Sequence, residues 1–352
     1  MKILVLSQDY PSLDKPYAMS YVHSRNVEYK KLEHDVKVIN FAANTTYEYD
    51  SLEVYPYSKE LIDWAEVIVS HAPNIKNHVR ALKGIKHKKV VFFFHGHEVL
   101  YQYGDYPKPY SWKKEKLSKK LFIQCYDKLK MGILKKFLKV CSNNNSIGCI
   151  FVSEWMERQF LKNINLKPKD IGASIIIPNA CNSVFLSNHY EFDESNKLAD
   201  SITIRPLDDS KYAIDLVVDA ARNNPEKEFH IYGKGNYFLF NEKPSNVKVI
   251  NQFIQQKDIP ELLNKYNFAM MPTRYDAQGV MVCEMVTYGI PVVTTDFEVC
   301  VEMLKDFENV KFIKENQFKN FKCEFEASQV YKNEKFSPNI LIKEELGFFN
   351  EL

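Results

Sequence analysis

Two acids frame a glycine in the stretch TRYDAQGVMVCEMVTYGIPVVTTD, residues 273–296: Asp276 and Glu284, with Gly279 between them. Glu284 stands among Val280, Met281, Val282, Cys283, Met285 and Val286. A carboxylate in such company is costly unless something binds it. FAMMPT before it reads as a strand, RYDAQG as a loop, and a helix starts near Gly279. Backbone N–H groups at a helix start are free to hold phosphate, and the helix dipole adds to the attraction. Glu284 then lies little more than one turn inside, where a carboxylate can accept from two neighbouring ribose hydroxyls. Asp276 stands nearer the sugar end. The plainer alternative is a helix-surface glutamate and a turn aspartate.

Other residues sit where ligands sit. Arg205 follows the strand SITI, with Lys211 six positions on. A guanidinium fork and a mobile ammonium around a strand-to-helix loop suit a pyrophosphate. Gly233-Lys234-Gly235 follows EFHIY, and glycines let the backbone approach an anion. No third glycine opens a helix after it, so this is no dinucleotide fingerprint. His95-Gly96-His97-Glu98 follows KVVFFF. These residues suit a cleft, a turn with solvated histidines, or a zinc site, although no second ligand cluster of suitable spacing follows.

The elements that must carry these residues alternate. KILVLS, VKVINF, EVIVSH, KVVFFFHG, GCIFVS and SIIIPN are apolar, β-branched runs of the kind buried on both faces of a parallel sheet. Helices are expected over 19–32 and 154–163. A second alternation runs from SITIRP through a helix at 213–223, EFHIYG, VKVINQF, a helix at 260–265, FAMMPT, the helix carrying Glu284, and PVVTTD. Two blocks of this kind predict an α/β protein of two facing Rossmann-like domains, with ligands at the carboxyl ends of the strands. The first domain is expected over 1–187, a polar linker over 188–200 and the second domain over 201–334. A final helix follows over 335–352.

Composition narrows the class. The chain has 352 residues, 45% hydrophobic and 26% charged, with net charge +2, so it is not built as a whole to embrace nucleic acid. Seven scattered cysteines without a C-x-x-C pair fit a reducing cytoplasm. The opening MKILVLSQDY reads as a first strand rather than a signal peptide, and no run is long enough to span a bilayer. The stretch 111–141 carries ten lysines against two acids. Leu117, Leu121, Cys125 and Leu129 recur there every four positions, which predicts an amphipathic helix or helix pair. It is either a core helix with a solvated lysine face or a dock for the anionic inner face of the cell membrane.

At this point the residues resemble a known family. The acid-x7-acid spacing of Asp276 and Glu284, followed by MVTYGIPVVTTD, resembles the signature of glycosyltransferase family 4, of GT-B fold and bacterial envelope polysaccharide type. RPLDDSKYAIDL resembles its diphosphate loop, HIYGKG its Gly-x-Gly loop, IIPNACNSVF the end of its N-terminal domain, and FFFHGHE its active-site histidine, here His95. The resemblance implies a retaining transfer of a hexose-type sugar from a nucleotide diphosphate sugar, of UDP or GDP type, without metal or further cofactor. The acceptor it implies is a glycan or lipid-linked molecule of capsule, O-antigen or exopolysaccharide synthesis. It assigns Glu284 to the ribose, Asp276 to the donor hexose, and Arg205 and Lys211 to the diphosphate. Gly279 and Val280 take phosphate through their backbone, and Phe253 and Ile254 flank the base. His95 contacts sugar or acceptor, and the last helix is expected to return to the N-terminal domain. The first acid is Asp rather than Glu, no glycine precedes Arg205, and Asn179-Ala180 replaces Asn-Gly. A nucleotide-sugar epimerase of the same fold and a non-catalytic nucleotide-sugar-binding subunit are the alternatives.

Overall fold

A computed structural model describes residues 1–15, 18–252, 254–324 and 333–352. The chain forms two compact units. The first comprises Met1–Asp105, Leu117–Ala180 and Pro338–Leu352; the second comprises Tyr106–Lys116 and Cys181–Ser337. Residues 188–200 lie inside the second unit, and residues 106–116 leave the first unit's sequence to join it.

The first unit is built on eight strands: β1 Lys2–Ser7, β2 Asp35–Asn40, β3 Tyr47–Tyr49, β4 Leu52–Tyr55, β5 Val67–His71, β6 Lys89–Phe94, β7 Ser146–Phe151 and β8 Ala173–Ile176. Their order is β3-β4-β2-β1-β5-β6-β7-β8. All neighbours run parallel except β3 and β4. The β3–β4 hairpin at the edge was not legible as strands in the sequence. Central strands are apolar on both faces, as in KVVFFF, because helices cover both sides. Helix α1, Ser20–Lys31, packs Val22 and Tyr29 into the core.

Helix α2, Leu117–Ser142, is a single helix of 26 residues. Its C-terminal half buries Met131, Leu134, Phe137, Leu138 and Cys141. The four-residue repeat read from the sequence lies on the other side. Leu117 is 71% exposed, Leu121 53%, Phe122 71% and Leu129 60%. The core therefore uses one end of the helix, and the stripe that suggested packing is left to solvent. No helix among the described residues is long and apolar enough to cross a membrane. Helix α3, Glu154–Ile164, starts where Ser153 of FVSEWM accepts from the Met156 N–H at 3.0 Å.

The last helix, here α4, Pro338–Glu351, belongs to the first unit as expected. Leu341, Ile342, Leu346, Phe348 and Phe349 enter the core beside Tyr29 and Val22. Gly148 of β7 makes room for it: a Cβ there would lie 2.6 Å from the Phe348 ring. Lys89 Nζ caps the helix end by donating to the carbonyls of Phe349 at 3.1 Å and Asn350 at 3.2 Å. Between α1 and α4, Arg25 Nε donates to Glu345 Oε1 at 2.7 Å, and the Tyr29 hydroxyl donates to Glu345 Oε2. Both charged side chains are almost wholly buried.

The second unit has six parallel strands: β9 Ala199–Ile204, β10 Phe229–Tyr232, β11 Val247–Ile250, β12 Tyr266–Met270, β13 Val292–Thr295 and β14 Val310–Ile313. Their order, β11-β10-β9-β12-β13-β14, reverses between β9 and β12. Such a reversal opens a crevice beyond the carboxyl ends of the two strands. Helix α5, Val280–Tyr288, follows β12 and ends at Gly289, whose φ of 108° supplies the left-handed stop. Tyr110 and Trp112 meet the Tyr237 ring edge-on, and the Tyr110 hydroxyl donates to Asp215 Oδ1 at 2.9 Å, which fixes the 106–116 segment on this unit.

Glu345→Ala leaves a buried arginine without its carboxylate, so unfolding in urea is expected to show a loss of about 3–5 kcal/mol. The double variant Arg25→Met, Glu345→Leu should lose less than that single change, because no charge is stranded.

Candidate functional site

The reversal between β9 and β12 places Arg205, two residues before Leu207, beside the loop 273–279. Arg205 is 6% exposed. Its Nη2 donates to Thr273 Oγ1 at 3.0 Å and its guanidinium lies 4.9 Å over the Tyr212 ring. Its Nε has no partner among the described residues. A buried cation satisfied by one hydroxyl and one ring carries charge that no carboxylate among the described residues neutralises. Lys211 also lies over Tyr212, at 4.7 Å, and its closest acid is Asp209 at 3.8 Å. Burial opposes its charge, but Tyr212, Asp276 and Asp209 outweigh that and raise its pKa. The Lys211 loop ends at Ala213, a fully buried residue with φ of 50°, a strained conformation for a residue with a Cβ.

Neighbouring loops close on this one. A Cβ at Gly233 would meet the Arg205 carbonyl oxygen at 1.9 Å, so only glycine lets the loop after β10 pass the loop after β9. The Leu207 N–H donates to the Lys234 carbonyl at 2.9 Å, while the Lys234 side chain is exposed. The Arg274 N–H donates to the Lys211 carbonyl at 2.8 Å. Arg274, by contrast with Arg205, is spent: Asp215 takes it at 2.8 and 2.6 Å and Glu315 at 2.9 Å.

Helix α5 starts at Gly279, whose φ is 76°. The N–H groups of Val282 and Cys283 turn back to the Gly279 carbonyl, at 3.0 and 3.1 Å. The helix geometry leaves those of Val280 and Met281 for an outside acceptor. Asp276 keeps one oxygen on the Ala277 N–H at 2.8 Å and its side chain is half-buried.

Glu284 is 1% exposed. The Asn182 N–H donates to Oε1 at 3.2 Å and Gln256 Nε2 donates to the same oxygen at 2.5 Å. Asn182 Nδ2 in turn donates to Gln256 Oε1 at 3.2 Å. Burial pushes the Glu284 carboxyl up to about 7, against the pull of these two donors. Asn182 and Gln256 were not identified from sequence as part of the site. Asn182 lies within the IIPNACNSVF segment, and Gln256 opens a turn after β11, but neither type nor spacing announces a partner for a distant carboxylate. Ile254 lies in that same loop after β11, and Phe253 lies outside the described residues.

In the first unit, His95 follows β6. Glu98 holds its backbone by accepting from the N–H groups of His95 and Gly96, the latter at 3.0 and 3.1 Å. His95 Nε2 lies 3.0 Å from His71 Nδ1. Burial, with Arg25 nearby, lowers the His95 pKa well below the usual histidine range. His97 is exposed. Glu98 is engaged with backbone and His95 with His71, and no three His, Cys, Asp or Glu side chains cluster as metal ligands among the described residues.

Comparison with known proteins adds to the geometry. Residues 204–322 match a family model described as Glycosyl transferases group 1. No curated protein matches the chain by sequence. Among solved structures, a glycosyltransferase from Rickettsia africae ESF-5 is 11% identical with a TM-score of 0.64, the match covering 99% of this chain and 98% of that one. WaaG, a glycosyltransferase involved in lipopolysaccharide biosynthesis, is 14% identical with a TM-score of 0.60, covering 90% and 88%. The pneumococcal O-GlcNAc transferase GtfA, solved in complex with UDP and GlcNAc, is 11% identical with a TM-score of 0.52, covering 89% and 63%. The fold is GT-B.

The raised Glu284 carboxyl has a consequence for the free protein. At pH 4 and below it is largely protonated in both folded and unfolded chains, and no difference arises. Between its ordinary value of 4.5 and about 7 the unfolded chain gives up the proton while the folded chain keeps it. Folded stability therefore falls as pH rises through that window, by about 3 kcal/mol once complete. Glu284→Gln removes this dependence. Urea unfolding at pH 5 and pH 8 should show the variant gaining on the wild type at the higher pH.

Proposed function

We propose that the protein is a retaining, metal-independent glycosyltransferase. It moves a hexose-type sugar from a nucleotide diphosphate sugar, of UDP or GDP type, to a glycan or lipid-linked acceptor of envelope polysaccharide synthesis. The observation that carries this reading is the set of half-satisfied groups at one crevice: among the described residues, a buried arginine with a free Nε, a lysine held by an acid only at 3.8 Å, an open helix start and a carboxylate bonded through one oxygen. Each lacks what a nucleotide diphosphate sugar supplies. Oxyanions satisfy the first three, and ribose hydroxyls satisfy Glu284 Oε2. The family match over 204–322, the same part of the chain, supports the reading.

In the reaction the bond from the anomeric carbon to the diphosphate oxygen breaks and the acceptor oxygen bonds that carbon from the same face. The acceptor proton goes to the departing diphosphate. Negative charge grows on the diphosphate as the bond breaks. Arg205, Lys211 and the N–H groups at the start of α5 are already oriented to receive it, which is the work a divalent ion does elsewhere. Asp276 holds a donor-sugar hydroxyl, and His95 hydrogen-bonds a sugar hydroxyl as a neutral imidazole. Gly233 and Lys234 close the phosphate loop, and Ile254 with Phe253 borders the base.

The exposed half of α2 gives this enzyme a place to work. Leu117, Leu121, Phe122 and Leu129 stand out of the fold with Lys116, Lys119, Lys120 and Lys128 around them. An apolar stripe within lysines matches the inner face of an anionic membrane, where each lysine adds about 1 kcal/mol and the apolar groups enter the acyl boundary.

Transfer of labelled sugar in EDTA is the direct test. Lys211→Ala and Glu284→Ala should each lower kcat/KM by about 10²–10³ while the circular dichroism stays unchanged. A donor epimerised without acceptor would instead identify an epimerase, and binding without any turnover a non-catalytic subunit. In co-sedimentation with vesicles containing phosphatidylglycerol, the wild type should bind and release in high salt. Leu121→Glu with Phe122→Glu should stay in the supernatant at all salt concentrations.

A further inference from the structure

His95 and His71 meet because of strand register. In the β5–β6 pair His71 lies opposite Phe93, and His95 is two residues further along the same face. The His71 ring stacks on Phe93 at 4.4 Å, and the His95 ring is 5.3 Å from the His71 ring and 4.7 Å from Tyr21. The only hydrogen bond either ring makes among the described residues is the one between them, His71 Nδ1 to His95 Nε2 at 3.0 Å. His71 Nε2 and His95 Nδ1 are buried without partners. A histidine that merely fills a core is normally satisfied, since an unpaired buried polar atom costs about 1–3 kcal/mol. His78 nearby is bonded in the same one-sided way, with Nδ1 on the Ser70 hydroxyl at 2.8 Å and Nε2 without a partner among the described residues, so what sets His71 and His95 apart is that each is the other's partner.

The surroundings keep both rings uncharged. Burial is the main cause for each, and Arg25, 4.8 Å over Phe93, adds to it. The groups facing the pair are Tyr21 and Arg25 from α1, His78 from the helix His78–Leu82, and Glu98 from the loop after β6. Two neutral imidazoles have two N–H groups for four nitrogens, and one N–H occupies the link. If His71 Nδ1 donates, the proton of His95 must be on Nδ1. If His95 Nε2 donates, the proton of His71 must be on Nε2. The two tautomers are tied together.

We propose that His71 is a positioning residue for His95: the ring-to-ring hydrogen bond fixes the rotamer of the histidine at the carboxyl end of β6 and ties its tautomer to that of His71. This rests on the reading of His95 as a site residue. A ring already held in its rotamer needs less reorganisation when a sugar arrives. His71 lies one strand away from His95 in the sequence and ends a run that reads as pure core.

The experiment is ¹⁵N NMR of histidine-labelled full-length protein, with Phe and Asn at position 71. His71→Phe keeps an aromatic ring and loses the bond; His71→Asn places an amide near the former Nδ1. In the wild type, the two tautomers should be matched, with the proton on Nδ1 of both rings or on Nε2 of both, and a coupling should cross the bond to His71. In His71→Phe that coupling is lost and His95 should show mixed tautomers. His71→Asn should restore a single tautomer. In transfer assays His71→Phe should lower kcat by about 10–100-fold with donor KM little changed, and His71→Asn should recover most of it. An unaltered His95 tautomer in His71→Phe, or Asn behaving as Phe does, overturns the positioning role. If the NMR changes occur as expected but His95→Ala keeps full turnover, the positioning stands and the assignment of His95 to the reaction falls.

Discussion

Glu284 has two donors on one oxygen, no cation against it among the described residues, and almost no contact with water. A carboxylate can be held there only at a cost in stability, and much of the second unit is arranged around that cost. Gly279 turns the chain into α5 through a left-handed conformation, which sets the carboxylate one turn inside a helix whose first N–H groups are open. Asn182 and Gln256 arrive from two other segments to hold one oxygen in place. They do so without neutralising the group, so the second oxygen is oriented before any ligand comes. A site built this way stores free energy that a ligand with hydroxyl donors releases.

The cations at the same crevice follow a matching logic. Arg205 and Arg274 are both on loops at the carboxyl ends of adjacent strands, and both are largely withdrawn from solvent. Arg274 is neutralised by two carboxylates and ties the loop after β12 to the helix after β9. Arg205 has a threonine hydroxyl and a tyrosine ring instead, neither of which cancels charge. The difference lies in the neighbours rather than in the residue type. It separates an arginine that builds the scaffold from one that is available to an anion.

Much of the scaffold was legible because parallel strands buried on both faces are continuous apolar runs, and KVVFFF or SITI allows few other readings. Gly279 and the acids around it were legible for the same local reason: a strand, a short loop and a helix lie within one stretch of sequence. What the sequence concealed is tertiary. Gln256, Asn182, Thr273 and His71 act through partners far along the chain or on other elements, and nothing in their immediate neighbours marks them. The helix Leu117–Ser142 was legible only as amphipathic, with a core face and a surface dock both open. The core meets it at Met131, Leu134, Phe137 and Leu138, and the regular stripe remains outside. Periodicity reports amphipathicity and is silent about which apolar face the protein covers. The segment 106–116 was equally hidden, because its place on the second unit depends on Tyr110 reaching Asp215 and Trp112 reaching Tyr237.

The central claim is that one crevice of the second unit is prepared for a nucleoside diphosphate by an arginine without a carboxylate among the described residues, a loosely paired lysine, an open helix start and a half-bonded carboxylate. A crystal structure of the protein soaked with UDP or GDP tests it most directly. The account predicts diphosphate oxygens on Arg205, Lys211 and the Val280 and Met281 N–H groups, with the ribose hydroxyls on Glu284 Oε2. Nucleotide bound elsewhere, or bound here with Glu284 still touching only Asn182 and Gln256, would contradict it.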